Sequence, residues 1–136
     1  MHIKMIIAGG RDYTDADNIR YHLQHLIRSN PDKYFTIISG MARGADITGA
    51  EVARSLGLHV LEFPALWDDL NAPGAVIRPN RVTGKPYNAV AGFQRNQRMA
   101  DEADALLAFW DGKSRGTADM IRIMKEAGKI VITFMY

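Results

Sequence analysis

Ile3-Lys4-Met5-Ile6-Ile7-Ala8-Gly9-Gly10-Arg11-Asp12 decides the fold. The run from Ile3 to Ala8 reads as a strand buried on both faces, as strands of a parallel sheet are. Two glycines follow at once, where the chain must turn tightly. The pattern recurs. Phe35-Thr36-Ile37-Ile38 leads into Ser39-Gly40-Met41-Ala42-Arg43-Gly44-Ala45-Asp46, and Asp104 to Trp110 leads into Asp111-Gly112-Lys113-Ser114-Arg115-Gly116-Thr117. Strand-to-helix turns of a parallel sheet open on one edge, where bare amides and helix N-termini converge on an anion such as phosphate. Each turn also carries an arginine: Arg11, Arg43 and Arg115. Together they point to a phosphate-bearing, nucleotide-like ligand.

Helices fill the intervals. Thr14 and Asp15 offer capping oxygens, and Ile19, Leu23, Leu26 and Ile27 follow at the spacing of one helical face, ended by Asn30-Pro31. A second helix runs from about Asp46 to Gly57, and Leu58 to Phe63 gives a third strand. Four of the five prolines then fall between Pro64 and Asn88, where no periodicity is sustained. A loop that long in a compact domain is a lid or binding loop more often than filler, so a lid is expected over about 64–88. A third helix is expected over Ala89 to Asp101. A fourth, from near Thr117, turns Met120, Ile121, Met124 and Ala127 to the core, and Ile130 to Phe134 is a fifth strand. Five strands alternating with four helices make an α/β fold with a parallel sheet, read as a single domain over 1–136. Its ligand site belongs at the carboxyl ends of the strands, where strand order reverses.

Composition sets outer limits. The chain has 136 residues, 47% apolar and 24% charged, no cysteine and a net charge of +2. Cysteine-free composition excludes disulfides, thiol nucleophiles and thiolate metal sites, and suits the cytoplasm. No segment is long enough to span a membrane. The small basic excess, without an evident aromatic and basic stripe, sets nucleic acid aside as a partner.

Among residues that could do chemistry, Gly112 and Gly116 let backbone approach a ligand, and Thr117 can cap a helix or donate to a phosphate oxygen. The spacing matches neither a Walker loop nor the dinucleotide fingerprint. Arg95-Asn96 sits early in the third helix and either points a guanidinium at the binding edge or belongs to a charged surface. Asp46 reads as an N-cap, or as a carboxylate holding a ribose hydroxyl or orienting Arg43. Trp67 and Trp110 could each stack on a base or be buried against the lid. His22 and His25 are three apart but lack a third ligand, so neither a metal nor a cofactor is expected.

Five blocks carry a resemblance over nearly the whole chain: Gly9 to Tyr13, Ser39 to Asp46, Phe63 to Trp67, Ala91 to Met99 and Ala108 to Thr117. In order and content they resemble the SLOG superfamily, which groups the DNA-processing protein DprA with the LOG phosphoribohydrolases, and within it the bacterial and phage YspA-like branch. The resemblance implies a Rossmann-like sheet in the order 3-2-1-4-5 and a nucleotide-derived ligand such as an ADP-ribose or NAD-related compound. LOG enzymes release a base from a nucleoside 5′-monophosphate with an arginine before the fourth strand and a glutamate after a Gly-Thr pair. Arg95 falls at the arginine position and Gly116-Thr117 match the pair, but Met120 stands where the glutamate would. Asp119, one residue earlier, points about 100° away on a helix.

Two functions follow as expectations. The first is a binding or sensing domain for a small nucleotide-like ligand, held by Gly9, Gly10, Arg11, Ser39, Gly40, Arg43, Gly44, Asp46, Arg95, Asn96, Trp110, Gly112, Ser114, Arg115, Gly116 and Thr117. The second is a LOG-like N-glycosidic hydrolase in which Arg95 and Asp119 are catalytic, Asp46 and Asp111 being other candidate acids. Single-stranded DNA binding ranks third. LOG-type relatives also suggest a homodimer.

Overall fold

The computed structural model describes all residues, 1–136. Five parallel strands form the sheet: β1 (His2–Gly9), β2 (Tyr34–Ser39), β3 (His59–Glu62), β6 (Ala105–Trp110) and β7 (Ile130–Met135). Their order is β3-β2-β1-β6-β7, which in terms of the sheet strands alone is the expected 3-2-1-4-5. Four helices cover it: α1 (Ala16–Ser29), α2 (Ala45–Ser55), α3 (Ala91–Glu102) and α4 (Arg115–Glu126).

Alternation along β1 builds the two halves of the core. Met5 and Ile7 join Ile19 and Leu23 of α1 and Val52 of α2 on one face. Ile6 and Ala8 join Met99 of α3 and Met120 and Met124 of α4 on the other. Successive strand side chains point to opposite faces, so a strand apolar at every position needs helices on both sides. Strand order reverses between β1 and β6, whose carboxyl ends at Gly9 and Trp110 therefore frame a crevice.

Segment 64–88, expected as a lid loop, contains a two-stranded antiparallel hairpin, β4 (Ile77–Pro79) and β5 (Pro86–Asn88). Strands of three residues are too short to show a period. Their turn is held by Asn80, whose Oδ1 accepts from the amides of Val82 and Thr83 at 2.9 and 3.0 Å. Two smaller differences concern helices. The last helix begins at Arg115, ahead of Thr117, and Ala127 is exposed because it sits at the C-cap, past the final turn. No helix is long and apolar enough to cross a membrane.

Candidate functional site

A cavity of about 620 Å³ opens at the ends of β1 and β6. Its walls come from the β1 turn (Gly9, Gly10, Arg11), the β2 turn (Arg43, Asp46), the start of α3 (Arg95, Asn96) and the start of α4 (Ser114, Arg115, Gly116, Thr117). Residues more than 100 positions apart thus share one surface, as parallel topology requires.

The first two turns brace each other. The Gly10 carbonyl accepts from the amides of Tyr13 at 3.2 Å and Ala45 at 3.1 Å. Gly44 makes this approach possible: its φ is +87°, and a Cβ there would overlap the Gly10 and Arg11 carbonyls. Ser39 is buried, accepting from the Met41 amide at 3.1 Å and donating to the Asp46 carbonyl at 3.0 Å. Ser39 and Gly44, expected among the ligand contacts, therefore hold the turn and lie outside the cavity lining.

Arg95 is the pivot of the site. Its Nη1 donates to the Gly40 carbonyl at 2.6 Å, and its Nε donates to Asn96 Oδ1 at 3.1 Å. Gly40 is glycine for this reason, because a Cβ would stand 2.7 Å from that Nη1 and 2.8 Å from Asp46 Oδ2. Asn96 is 5% exposed and turns its amide to the Gly116 carbonyl and Asp119 Oδ2, both at 3.1 Å. It ties α3 to the first turn of α4 and so positions Arg95 relative to that helix end.

Burial raises the Asp46 carboxyl to about 6, opposed first by the Arg95 guanidinium, then by the Ala42 and Gly9 amides and by Arg11. Burial likewise lowers Arg95 from its ordinary value, with Asp46 opposing; a guanidinium nevertheless stays charged. Because a free aspartate titrates near 3.9, folding favours the protonated form. The resulting stabilisation is complete below about pH 4 and is lost as pH rises through about 6. Asp46→Asn should therefore raise stability at pH 7.5 by about 2–3 kcal/mol and change it little at pH 4. Urea melts of both proteins at the two pH values check this; an equal shift at both would contradict it.

The third turn presents an open helix end. Asp111 Oδ1 accepts from the amides of Lys113 at 2.8 Å and Ser114 at 2.9 Å, shaping the approach to α4. The helical ladder begins with Ala118 donating to the Ser114 carbonyl at 3.0 Å. The first-turn amides of Arg115, Gly116 and Thr117 thus precede the ladder, on residues that line the cavity. At Gly116 a Cβ would meet nothing within 4 Å.

Three expected contacts lie elsewhere. Trp110 donates its indole N–H to the Ser114 carbonyl at 3.0 Å and packs against the α3–α4 core, outside the cavity. Gly112 serves the turn at φ +82°. Asp119 accepts from Arg122 at 2.8 Å and from Asn96, and it does not line the cavity, whereas Met120 does. The helical offset separates the two: the position facing the ligand space is occupied by an apolar side chain.

Sequence reasoning left Trp67 undecided, and it did not find Gly92 and Phe93, which also line the cavity. The Trp67 indole reaches Gly92, where a Cβ would stand 3.4 Å from Cη2. The Trp67 carbonyl accepts from the Asn88 amide at 2.7 Å, so the hairpin anchors this ring. A second cavity, of about 520 Å³, adjoins the first and takes in Gly40, Met41, Pro64 and Ala65.

A run of sequence rich in basic residues is also present. Residues 70–98 include Arg78, Arg81, Lys85, Arg95 and Arg98 and no Asp or Glu. Trp67 and Phe93, 40% and 46% exposed, line the cavity with Arg95. Carboxylates flank the run, Asp68 and Asp69 on one side and Asp101 and Glu102 on the other.

Residues 3–69 match the model of the YspA, cpYpsA-related SLOG family. The resemblance to the SLOG superfamily is thereby shown. The chain also superposes on the X-ray structure of DNA processing protein A from Streptococcus pneumoniae, with TM-score 0.70 and 17% identity over 98% of this chain and 50% of that one. DNA processing protein A from Helicobacter pylori, described by its single-stranded DNA binding mode, gives TM-score 0.65 and 18% identity over 96% of this chain and 64% of that one. The chain thus spans half to two thirds of these proteins, and at such identities the likeness is one of fold. No curated protein matches the chain. The expectation that nucleic acid is an unlikely partner is corrected: a protein of this fold is described as binding single-stranded DNA.

Proposed function

From an N-terminal half of the SLOG family, we propose that the cleft binds a phosphate-bearing nucleotide unit at the carboxyl edge of the sheet. One observation carries the reading: Arg11, Arg43, Arg95 and Arg115 line a single cavity that also takes in the first turn of α4. Guanidinium forks and open helix amides both suit phosphate oxygens, and a low-dielectric wall strengthens each contact. Trp67 supplies a face on which a base can stack.

The same chemistry serves a free nucleotide or a nucleotide within a single strand. The basic, carboxylate-free segment 70–98 with Trp67 and Phe93 supports the polynucleotide source. A hydrolase reading finds less support, since Met120 stands in the cavity lining where the glutamate of the LOG pattern would be, leaving Asp12, Asp46 and Asp111 as the carboxyls there.

Fluorescence anisotropy of a labelled 20-nucleotide oligo-dT, with AMP and ADP-ribose as competitors, tests the proposal. Binding of the oligonucleotide that weakens with salt and is displaced by nucleotide is expected. No binding of oligonucleotide or nucleotide up to millimolar concentration would overturn it.

A further inference from the structure

None of the four arginines that line the cleft is held in an ion pair, although Asp12, Asp46 and Asp111 share the lining with them. Each of those carboxyls is engaged by a neutral donor instead. Asp111 Oδ1 accepts from the Lys113 and Ser114 amides, Asp46 Oδ2 from the Ala42 amide at 3.4 Å, and Asp12 Oδ1 from the Tyr136 hydroxyl at 2.6 Å. The distinction matters because a carboxylate paired with a guanidinium occupies the fork that a ligand anion needs.

Tyr136 lies just past β7, outside the residues that match the family model. Its amide donates to the Trp110 carbonyl at 3.1 Å. Its ring lies 4.6 Å, centroid to centroid, from that of Tyr13, which stacks in turn on Phe109. The hydroxyl fills the space beside Gly10, where a Cβ would overlap it. The Gly10 amide donates to the Phe109 carbonyl at 3.1 Å, so this turn glycine makes room for the Tyr136 hydroxyl and has no free amide to offer a ligand. Asp12 is exposed, and that hydroxyl is its carboxylate's sole hydrogen-bond partner within the chain. Burial, then the bond to Asp12, holds the Tyr136 hydroxyl above its ordinary value, so it stays a donor at neutral pH.

Resting on the phosphate-binding reading above, we propose that Tyr136 is a positioning residue of the cleft, tying the Asp12 carboxylate to the β1 turn and keeping it off the arginines. Released from that bond, an exposed aspartate in the same lining pairs with a guanidinium and competes with the ligand anion at the effective concentration of a tethered group.

A double-mutant cycle tests this, with AMP and pyrophosphate as probes in calorimetric titrations of the natural chain, Tyr136→Phe, Asp12→Asn and the double variant. Tyr136→Phe keeps the ring and removes the bond, and it should weaken both probes by about fivefold or more. In the Asp12→Asn background the same substitution should change affinity by less than about twofold, because a neutral amide forms no ion pair with the arginines. Damage to the turn itself would weaken binding whichever side chain stands at position 12. Equal weakening in both backgrounds, or none in either, would therefore overturn the proposal while the phosphate-binding reading stands. If the natural chain binds neither probe, that reading falls and the proposal with it. Thermal melts identify any variant that fails to fold, in which case Asp12→Ser or Tyr136→Leu completes the cycle.

Discussion

Arg95→Ala is expected to weaken nucleotide or oligonucleotide binding by about 100-fold, roughly 3 kcal/mol, because truncating a partly buried, hydrogen-bonded charge removes contacts and leaves partners unpaired. Arg95 reaches across the cleft from α3 to the Gly40 carbonyl, and it borders both cavities. Its loss also removes the largest favourable charge acting on buried Asp46. The variant should therefore be less stable at neutral pH than at pH 5, where Asp46 is protonated. Combining it with Asp46→Asn separates the two effects. The double variant should recover stability, since no uncompensated carboxylate remains, but should not recover affinity. Arg95→Lys, keeping the charge without the planar fork, should fall between. Calorimetry and urea melts measure both quantities. Unchanged affinity in a folded Arg95→Ala protein would sink the site assignment.

Gly44→Ala is expected to cost about 3 kcal/mol or more, because φ +87°, ψ −128° is a conformation essentially confined to glycine and a Cβ would overlap neighbouring carbonyls. In a protein of this size that lowers the melting temperature by about 10 °C. A Cβ at Gly44 would overlap the Gly10 and Arg11 carbonyls, which cross from the first turn to the second. Gly57→Ala is a control for positive φ without close neighbours. It shares the positive φ, at +78°, but its Cβ would meet nothing within 4 Å, so only the conformational part should appear. Equal losses in the two variants would show that the crossing of the turns contributes little. Affinity should fall with Gly44→Ala as well, because Arg43 and Asp46 flank the displaced residue.

Much of the fold was legible because each strand announces itself locally. Ile3 to Ala8 and Ala105 to Trp110 are apolar without alternation, which only a sheet covered on both faces explains. Glycine turns after β1, β2 and β6 then give direction and edge. The hairpin of 77–88 was not legible, since three-residue strands carry no period and its pairing depends on Asn80 and on docking beside Trp67. The site was partly legible. Arg11, Arg43, Arg95, Arg115 and Gly116 were found by residue type and position in turns, and they do line the cavity. Ser39 and Gly44 lie outside the cavity lining and Asn96 within it, and the polar groups of Ser39 and Asn96 also bond other protein atoms. Trp110 and Asp119 lie outside the cavity lining, a matter of side-chain direction that spacing along a helix or strand end does not fix.

By itself the sequence determined the alternation of strands and helices, the edge on which the turns gather, and the phosphate-directed residue types there. Periodicity and glycine placement are local properties, readable over a few residues. The tertiary structure alone decided which polar groups remain open to a ligand. Asn96, Ser39 and Trp110 have partners many positions away or across a turn. Asp46 titrates near 6 only because β1, β2 and α3 bury it beside Arg95. The second cavity exists only because the loop after β3 folds back over the β2 turn. These are consequences of which surfaces exclude water together, and no local pattern in the chain encodes that.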